Sequence, residues 1–404
     1  MLPQPLASVL CNDHMEIAYT SQGALHLKNG DDSVRRLESK FAGELKQRAV
    51  EIHQKHAWKA EGRAGYFSSQ ALWGVNTQDP LAINTQVTGV SRGRTPDEVL
   101  YTMVVGNIAG VFSLNKSAGV ESRLLHTAEY RLQGIAGRAG ADQIACVVSY
   151  KSGLSHIAVM PDADSPPADV TEGDSIDLAP AWVPGTSNRL VFQSAGMARD
   201  DAGRLHGRGP FTIQMLDLDT GELSNLAGED GQDLIRPRID SAGTLYYIKR
   251  PYSKPGQPSG SFFRSILDIF LMPFRMLYAV FQFFNWFTIK YTGRTLTTAG
   301  GAAQKDIDIK RQKLMSNIID AEAAVHQELL DSLEKRGTAS DSWQLIRKRA
   351  GSASQPIARG VLAYDLGDTG DIIYSNGNAL RRITSDDRSE SILTGDLIDL
   401  VAFV

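Results

Sequence analysis

Short apolar stretches separated by polar turns recur along most of the chain. Two pairs illustrate the pattern, 98–102 with 110–114 and 143–147 with 156–160. β-Branched and aromatic side chains suit a pleated strand, and the glycines between the stretches permit the positive φ that tight turns require. The pattern therefore predicts a mainly β protein of short strands.

Part of the pattern repeats in sequence. GDSIDL at 173–178 recurs as GDLIDL at 395–400, and a weaker copy, GQDLI, stands at 231–235. The copies at 173 and 231 are each followed by a turn and a β-rich run, and two further strand-like segments, 211–216 and 222–226, complete the first unit. Four short strands in about 45 residues is the period of a β-propeller blade.

The unit at 171–226 resembles the repeats of TolB-type and WD-repeat-like β-propellers. PAWVPG at 180–185 and LVFQS at 190–194 match their Pro-x-Trp-Ser-Pro-x-Gly turn and the Ile-x-Phe-x-Ser strand after it. The match is sharp in this unit, moderate around Pro237, and elsewhere limited to the order of strands and turns. The resemblance implies a β-propeller that acts as a binding module. TolB's own partners do not carry over, because TolB is periplasmic and has a signal peptide and an N-terminal α/β domain that this sequence does not predict.

Extended over the whole chain, the repeat predicts a six-bladed β-propeller. Blades 1 to 4 and the first part of blade 5 occupy 1–252, and 341–404 completes blade 5, supplies blade 6 and closes the ring. The last segment, 397–404, is expected to add a strand to the first blade and so remove an exposed sheet edge. Seven blades remain the alternative to six, because the segment 66–86 fits either number.

Two helical insertions interrupt the repeat. The segment 36–63 carries an apolar stripe at helical spacing, and the larger insertion, 253–340, contains the apolar stretch 261–290 and the segment 306–336. The latter predicts an amphipathic helix of about 45 Å. The stripe in the first insertion consists of Leu37, Phe41, Leu45, Ala49 and Ile52.

The stretch 261–290 is the strongest candidate for a contact surface. Arg264, Asp268 and Arg275 interrupt it, and Pro273 would kink any helix, so a single membrane span is disfavoured. A thin polar stripe on a wide apolar face instead suits a helix that lies in the plane of a membrane surface or docks on a protein partner. The candidate contact residues are Phe262, Phe263, Ile266, Phe270, Phe274, Leu277, Phe281, Phe284, Trp286 and Phe287.

Composition narrows the classes of function. Charged residues are 22% of the chain and the formal net charge is −4, so no basic excess indicates nucleic-acid binding. The N-terminal segment lacks the positive and apolar regions of a secretory signal, which predicts a cytoplasmic location, peripheral on the inner face of the membrane if the apolar stretch meets lipid. Cys11 and Cys146 are expected to be reduced and buried.

Motifs that could carry chemistry are weak. GVSRG at 89–93 matches a nucleophile elbow, but a turn and a strand are predicted after it, which favours a chance match within a β-turn. Asp217 and Asp219 begin like a calcium loop but lack the remaining ligand spacing, and His53 and His56 have no evident third metal ligand. We therefore predict no catalytic, cofactor-binding or metal-ligating residues and no cofactor.

The predicted function is a non-enzymatic β-propeller scaffold or interaction protein, peripheral to a membrane through 261–290. A soluble subunit that docks a protein complex through the same insertion is one alternative. A hydrolase or lyase centred on the propeller channel is the other, and it requires ionisable residues to converge at the channel mouth. The sequence leaves any small-molecule ligand undetermined.

Overall fold

The computed structural model of the chain describes residues 15–30, 33–60, 84–185, 188–199, 205–252, 339–395 and 397–404, with main chain only at 52–60 and 205–206. All of these residues belong to one compact unit of the chain. Strands dominate the described part, and one helix accompanies them, so the prediction of a mainly β protein is confirmed.

Three strands and a helix open the described chain. The strands form an antiparallel meander of β1 (Ile17–Ser21), β2 (Ala24–Lys28) and β3 (Val34–Arg36). Helix α1 (Lys40–Ala60) follows and lies within the helical insertion predicted at 36–63. The second predicted helical insertion, 253–340, lies outside the described residues except for its last two positions.

Helix α1 begins where a hydroxyl and a carboxylate satisfy its first amides. Ser39 Oγ accepts a hydrogen bond from the Ala42 amide at 3.2 Å, and Glu121 Oε2 accepts one from the Lys40 amide at 2.8 Å. Both features stabilise a helix N-terminus. Phe41 then packs 5.2 Å, between ring centroids, from Phe112 in the core, and Leu37 and Leu45 pack on the same cluster, so this part of the predicted apolar stripe faces the sheets.

A four-stranded antiparallel sheet follows in chain order. It consists of β4 (Thr85–Arg92), β5 (Glu98–Val105), β6 (Ile108–Asn115) and β7 (Val120–Thr127). The two middle strands are almost wholly buried and the last is mostly exposed, which is the gradient expected from an inner to an outer strand.

The next nine strands form one sheet in which two antiparallel groups meet. Its strands are β8 (Arg131–Gly137), β9 (Ile144–Ser149), β10 (Ser155–Met160), β11 (Ala168–Asp169), β12 (Ser175–Trp182), β13 (Arg189–Arg199), β14 (Leu205–Arg208), β15 (Thr212–Asp217) and β16 (Leu223–Ala227). A single parallel bridge, Ser155 to Ile176, joins the two groups. The strands predicted at 143–147, 156–160 and 211–216 are therefore present.

Two further four-stranded antiparallel sheets complete the middle and end of the chain. The first contains β17 (Gln232–Ile239), β18 (Leu245–Pro251), β19 (Gln344–Lys348) and β20 (Gln355–Arg359). The second contains β21 (Ala363–Leu366), β22 (Ile372–Ser375), β23 (Ala379–Ile383) and β24 (Ser389–Thr394). Strands β18 and β19 pair directly, although 99 positions separate the Leu245 and Gln344 at which they begin.

The last strand returns to the first sheet. Strand β25 (Ile398–Phe403) pairs antiparallel with β1, with Ile17 opposite Phe403 and Tyr19 opposite Val401. The strand expected from 397–404 is thus present, and it lies beside the first hairpin.

One strand from each antiparallel group faces a common centre. We call β4, β8, β12, β17, β21 and β25 the inner strands, because each contacts the next in this order and β25 contacts β4. Apolar clusters fill the spaces between successive sheets; Leu100, Leu132, Ile144 and Met160, for example, are all fully buried between β5 and the group of β8 to β10.

Three inner strands share a β-bulge with a left-handed residue. Gly134, Ala179 and Arg236 have φ values of 61°, 54° and 54°, and the strand register shifts at each. Left-handed backbone costs about 1 kcal/mol or more for residues other than glycine. The bulge redirects the end of each inner strand, and these ends form the site described next.

Candidate functional site

A cavity of about 600 Å³ opens at the C-terminal ends of the inner strands. We call it the channel-mouth cavity. A second cavity of about 730 Å³ adjoins it and shares Arg92 and Asp368 with it. Each inner strand contributes at least one lining residue, from Val90, Ala136, Ala181, Arg238, Asp365 and Ala402.

Arg92 is the last residue of β4 and links that strand to the turn after β21. Its Nη1 donates to Asp368 Oδ1 at 2.7 Å and its Nη2 to the Leu366 carbonyl at 3.1 Å. Burial lowers the pKa of Arg92, but the hydrogen bond to Asp368 and the charges of Asp365 and Asp368 outweigh burial and raise it overall. The Asp368 side chain is 87% exposed, so this pair sits at the rim of the cavity.

Arg238 lies deeper, near the end of β17. Its Nε donates to Asp365 Oδ1 at 3.2 Å, and the other oxygen of that carboxylate accepts the Phe403 amide at 3.0 Å. Asp365 therefore fixes both the arginine of one inner strand and the backbone of another.

Arg138 follows β8 directly and is held by neutral groups. Its Nη1 donates to Asn188 Oδ1 at 2.9 Å and also to Gln143 Oε1. Its guanidinium carbon lies 5.1 Å from the centre of the Trp182 ring, whose Nε1 donates to the Ala136 carbonyl at 3.0 Å. No carboxylate of the described residues pairs with Arg138. It is a fixed cation with open donor positions.

The adjoining cavity contains a closed ion pair. Glu98 accepts hydrogen bonds from the Arg94 amide at 2.8 Å, from Arg94 Nη2 at 2.6 Å and from Ser113 Oγ at 2.5 Å. Burial raises the pKa of Glu98, but these hydrogen bonds outweigh burial and lower it to about 2. Glu98 is therefore ionised at neutral pH and its acceptor positions are taken.

Arg236 reaches across the space between the inner strands. Its Nη2 donates to the Asp399 carbonyl in β25 at 3.2 Å, and its own carbonyl accepts the Tyr364 hydroxyl at 2.7 Å. Burial, and secondarily the charge of Arg238, lower the pKa of Arg236 to about 10. It remains a cation at neutral pH, near both the like charge of Arg238 and the opposite charge of Asp399.

The arrangement suits recognition of anionic groups. Three arginines, Arg92, Arg138 and Arg238, come from different strands and are oriented before any ligand binds. Guanidinium groups held in this way bind carboxylate or phosphate with defined geometry. Within the residues that the structure describes, no cluster of three or more histidine, cysteine, aspartate or glutamate side chains is placed to hold a metal ion.

The serine motif at 89–93 is not in a turn, so that part of the sequence interpretation is wrong. Ser91 lies inside β4, where its Oγ donates to the Arg92 carbonyl at 2.9 Å and accepts the Gly137 amide at 3.3 Å. A turn and then β5 follow, as expected. The hydroxyl thus joins two inner strands, in a position unlike the strand-to-helix elbow of a hydrolase.

The aspartates at 217 and 219 belong to a turn between β15 and β16. Asp217 Oδ1 accepts the Asp219 and Thr220 amides at 3.0 and 3.3 Å, and its Oδ2 accepts Arg189 Nε at 2.8 Å. This is the turn chemistry that competes with the calcium interpretation.

The remaining candidates divide between described and undescribed parts of the chain. Cys146 is buried as a free thiol, and burial raises its pKa to about 12. Cys11 and the side chains of His53 and His56 lie outside the described residues, as do all ten candidate contact residues in 261–290.

No helix in the described ranges is both long and apolar enough to cross a membrane.

Sequence reasoning missed the three arginines of the cavity. A signal was available, since an arginine stands within one residue of the end of an inner strand in three units, at Arg92, Arg138 and Arg238. It became meaningful only once the inner strands were known to meet.

No protein-family model matches the chain, and no curated protein matches it in sequence. Among solved structures, TolB from Acinetobacter baumannii is 10% identical over 96% of this chain and 66% of its own, with a TM-score of 0.49. The chain thus spans just under two thirds of that TolB chain. A β-propeller in a nidogen/laminin complex is 6% identical over 96% of this chain and 97% of its own, with a TM-score of 0.50. At such identities the likeness concerns the fold alone, and the predicted resemblance to β-propellers is confirmed.

Proposed function

We propose that this protein is a non-enzymatic β-propeller interaction module that binds a protein partner at the channel-mouth cavity. The observation that carries the proposal is a concave wall contributed by all the inner strands, with arginines already oriented by hydrogen bonds. Binding sites are usually preformed concave surfaces with a few fixed polar groups. That β-propellers serve partner binding is an argument from fold, which the nidogen/laminin complex supports as an example.

The proposed ring has six blades. Two observations support this number: the inner strands contact one another in a closed order of six, and the same six line one cavity. The pairing of β25 with β1 supports closure through the two ends of the repeat. The segment 66–86, on which a seventh blade would depend, is described only from Asn84 onward.

A photocrosslinking experiment tests the partner site. A benzophenone amino acid replaces Asp368 at the rim of the cavity, or Leu223, which is 55% exposed on the outer strand β16. In cells that express the full chain, we expect a protein adduct from position 368 and none from position 223. Adducts from 223 alone would contradict the proposal.

A second contact through 261–290 is part of the proposal, at a membrane surface on the cytoplasmic side or at a protein partner. The support is the apolar composition of that stretch and its place between two paired strands, β18 and β19. A short Gly-Ser linker in place of 253–338 would join these strands as a hairpin. We expect the full chain in the membrane fraction and the shortened chain, with an unchanged melting temperature, in the soluble fraction. Two wholly soluble monomers would contradict this contact.

A channel enzyme, hydrolase or lyase, is the second candidate. It is favoured by the convergence of ionisable side chains, among them Arg238 and Asp365, at the cavity. The two candidates differ in the fate of a captured ligand. A binding module releases the ligand unchanged, whereas an enzyme releases a product whose formation Asp365→Asn would abolish, as mass spectrometry can detect.

A further inference from the structure

We propose that the channel-mouth cavity takes an acidic peptide segment of the partner, with one of its carboxylates bound by Arg138. The inference rests on the proposed partner-binding function and names the chemistry of the segment that enters the cavity. The argument begins with the arginines of the cavity and their differing partners.

Two of the three arginines already hold a carboxylate from the chain itself. Arg92 Nη1 lies 2.7 Å from Asp368 Oδ1, and Arg238 Nε lies 3.2 Å from Asp365 Oδ1. The wall of the cavity thus already contains two arginine–carboxylate pairs. Arg138 differs because its acceptors, Asn188 and Gln143, are neutral amides that both lie on Nη1.

The free edge of Arg138 is prepared for an anion. Its Nε and Nη2 have no hydrogen-bond partner among the described residues, and these two nitrogens form the edge that binds a carboxylate with two parallel hydrogen bonds. The guanidinium carbon also lies over the ring of Trp182, which is itself anchored to the Ala136 carbonyl. A cation–ring contact restricts the guanidinium and leaves its edge open.

The size and lining of the cavity favour a peptide over a small ion. A volume of about 600 Å³ exceeds the space of a single carboxylate or phosphate many times over. Much of the wall is apolar, with Ala181, Trp182, Ile239 and Ala402 among its residues. This wall can cover the aliphatic parts and backbone of several residues while Arg138 binds the charge. The lining holds three aspartates (Asp240, Asp365 and Asp368) beside its three arginines, and the chain has a net charge of −4, so the attraction is local to Arg138.

Fluorescence anisotropy with a defined probe tests the inference. The probe is a fluorescein-labelled hexaglutamate with an amidated C-terminus, so that only side chains supply carboxylates, and hexaglutamine is the neutral counterpart. We expect the full chain to bind hexaglutamate and not hexaglutamine, with affinity that falls as salt rises. Arg138→Gln should weaken binding about tenfold or more, because a charge-assisted pair is lost.

Arg131→Gln is the matched control. Arg131 is the first residue of the same strand β8, is exposed, and lies at the opposite end from the cavity. This variant removes the same charge and should bind the probe within about twofold of the unchanged chain. Arg138→Lys keeps the charge but loses the paired donors, and an intermediate affinity is expected. Melting temperatures of all variants establish that each one is folded.

Several results would overturn the inference. Equal losses in Arg138→Gln and Arg131→Gln would indicate general electrostatic attraction, and a folded chain that fails to bind hexaglutamate would exclude the site. Inorganic phosphate that displaces the probe at the same concentration as unlabelled hexaglutamate would assign the site to small anions. If Arg138→Gln leaves a partner crosslink at position 368 unchanged, Arg138 does not bind the partner's carboxylate, although the cavity still binds a partner.

Discussion

Arginines lie over aromatic rings both at the channel mouth and at the base of the 253–340 insertion, and these two regions use their charges differently. At the point where the chain leaves β18 and returns to β19, Arg208 lies 4.3 Å from the Phe211 ring and Arg250 lies 4.6 Å from the Trp343 ring. Both guanidinium groups converge on Asp233, whose side chain is 2% exposed. We call these residues the insertion-base cluster.

The carboxylate of the insertion-base cluster is saturated. Asp233 accepts two hydrogen bonds from Arg208 at 2.9 and 2.8 Å, one from the Phe211 amide at 3.0 Å and one from Arg250 at 3.3 Å. Burial raises the pKa of Asp233, but these partners outweigh burial and lower it. At the channel mouth, by contrast, Arg138 has only neutral acceptors. In the insertion-base cluster the arginines bind an internal carboxylate and stabilise the fold. At the channel mouth, in our proposal, Arg138 binds the carboxylate of a ligand.

The largest effect is expected from removing the internal carboxylate. Asp233→Ala leaves two partly buried guanidinium groups without their partner, which should lower the free energy of unfolding by about 3–5 kcal/mol. Urea denaturation followed by circular dichroism measures the change. The matched variant Asp368→Ala breaks a rim pair whose carboxylate is 87% exposed and should cost less than about 1 kcal/mol. If both variants lose a similar free energy of unfolding, the carboxylates of the two regions do not differ in their contribution to stability.

A smaller effect is expected from Glu98, a saturated carboxylate close to the mouth. Its pKa is lowered from 4.5 to about 2, so the ionised form stabilises the fold above pH 4.5, and this stabilisation is lost as the pH falls toward 2. Glu98→Gln should lower the free energy of unfolding by roughly 2 kcal/mol at pH 7. The difference between the two proteins should shrink as the pH falls from about 4.5 to 2. A difference that is constant over that range would show that the charge of Glu98 contributes nothing.

The smallest effect concerns the bulge that leads β8 toward Arg138. Gly134→Ala places a side chain at φ 61° and 3.3 Å from Val147 Cγ2, and should cost about 1–2 kcal/mol. It should also weaken hexaglutamate binding, because the course of β8 positions Arg138. Ala179→Gly, at the corresponding bulge of β12, removes left-handed strain and should change stability by less than about 1 kcal/mol, in the stabilising direction. Tighter probe binding by Gly134→Ala would show that the bulge in β8 does not hold Arg138 in its binding position.

Local signals in the sequence were sufficient for the strands. The apolar stretch at 98–102 and the repeat at 173–178 mark segments whose pairing partners lie nearby, and the copy at 395–400 indicated the strand that joins the first sheet. The bulges were not predictable, since nothing local distinguishes Arg236 from a residue with ordinary strand geometry.

The candidate site depends on contacts that no local pattern contains. Arg138 and Trp182 are separated by 44 positions and meet because β8 and β12 are neighbouring inner strands. Arg92 and Asp368 are still further apart in sequence, with 275 residues between them. The apolar stretch 261–290 dominates the sequence, whereas the arginines of the cavity are individually ordinary, and only the fold makes them a group.

The pairing of β1 with β25 has a consequence for the synthesis of the chain. Ile17 emerges from the ribosome among the first residues of the described chain, and its partner Phe403 emerges among the last. Until then β1 has an unpaired edge, which can recruit a strand from another nascent chain. Contacts of such long sequence separation also slow folding. A chaperone that covers the unpaired edge of β1 would therefore prevent most aggregation between the synthesis of β1 and that of β25.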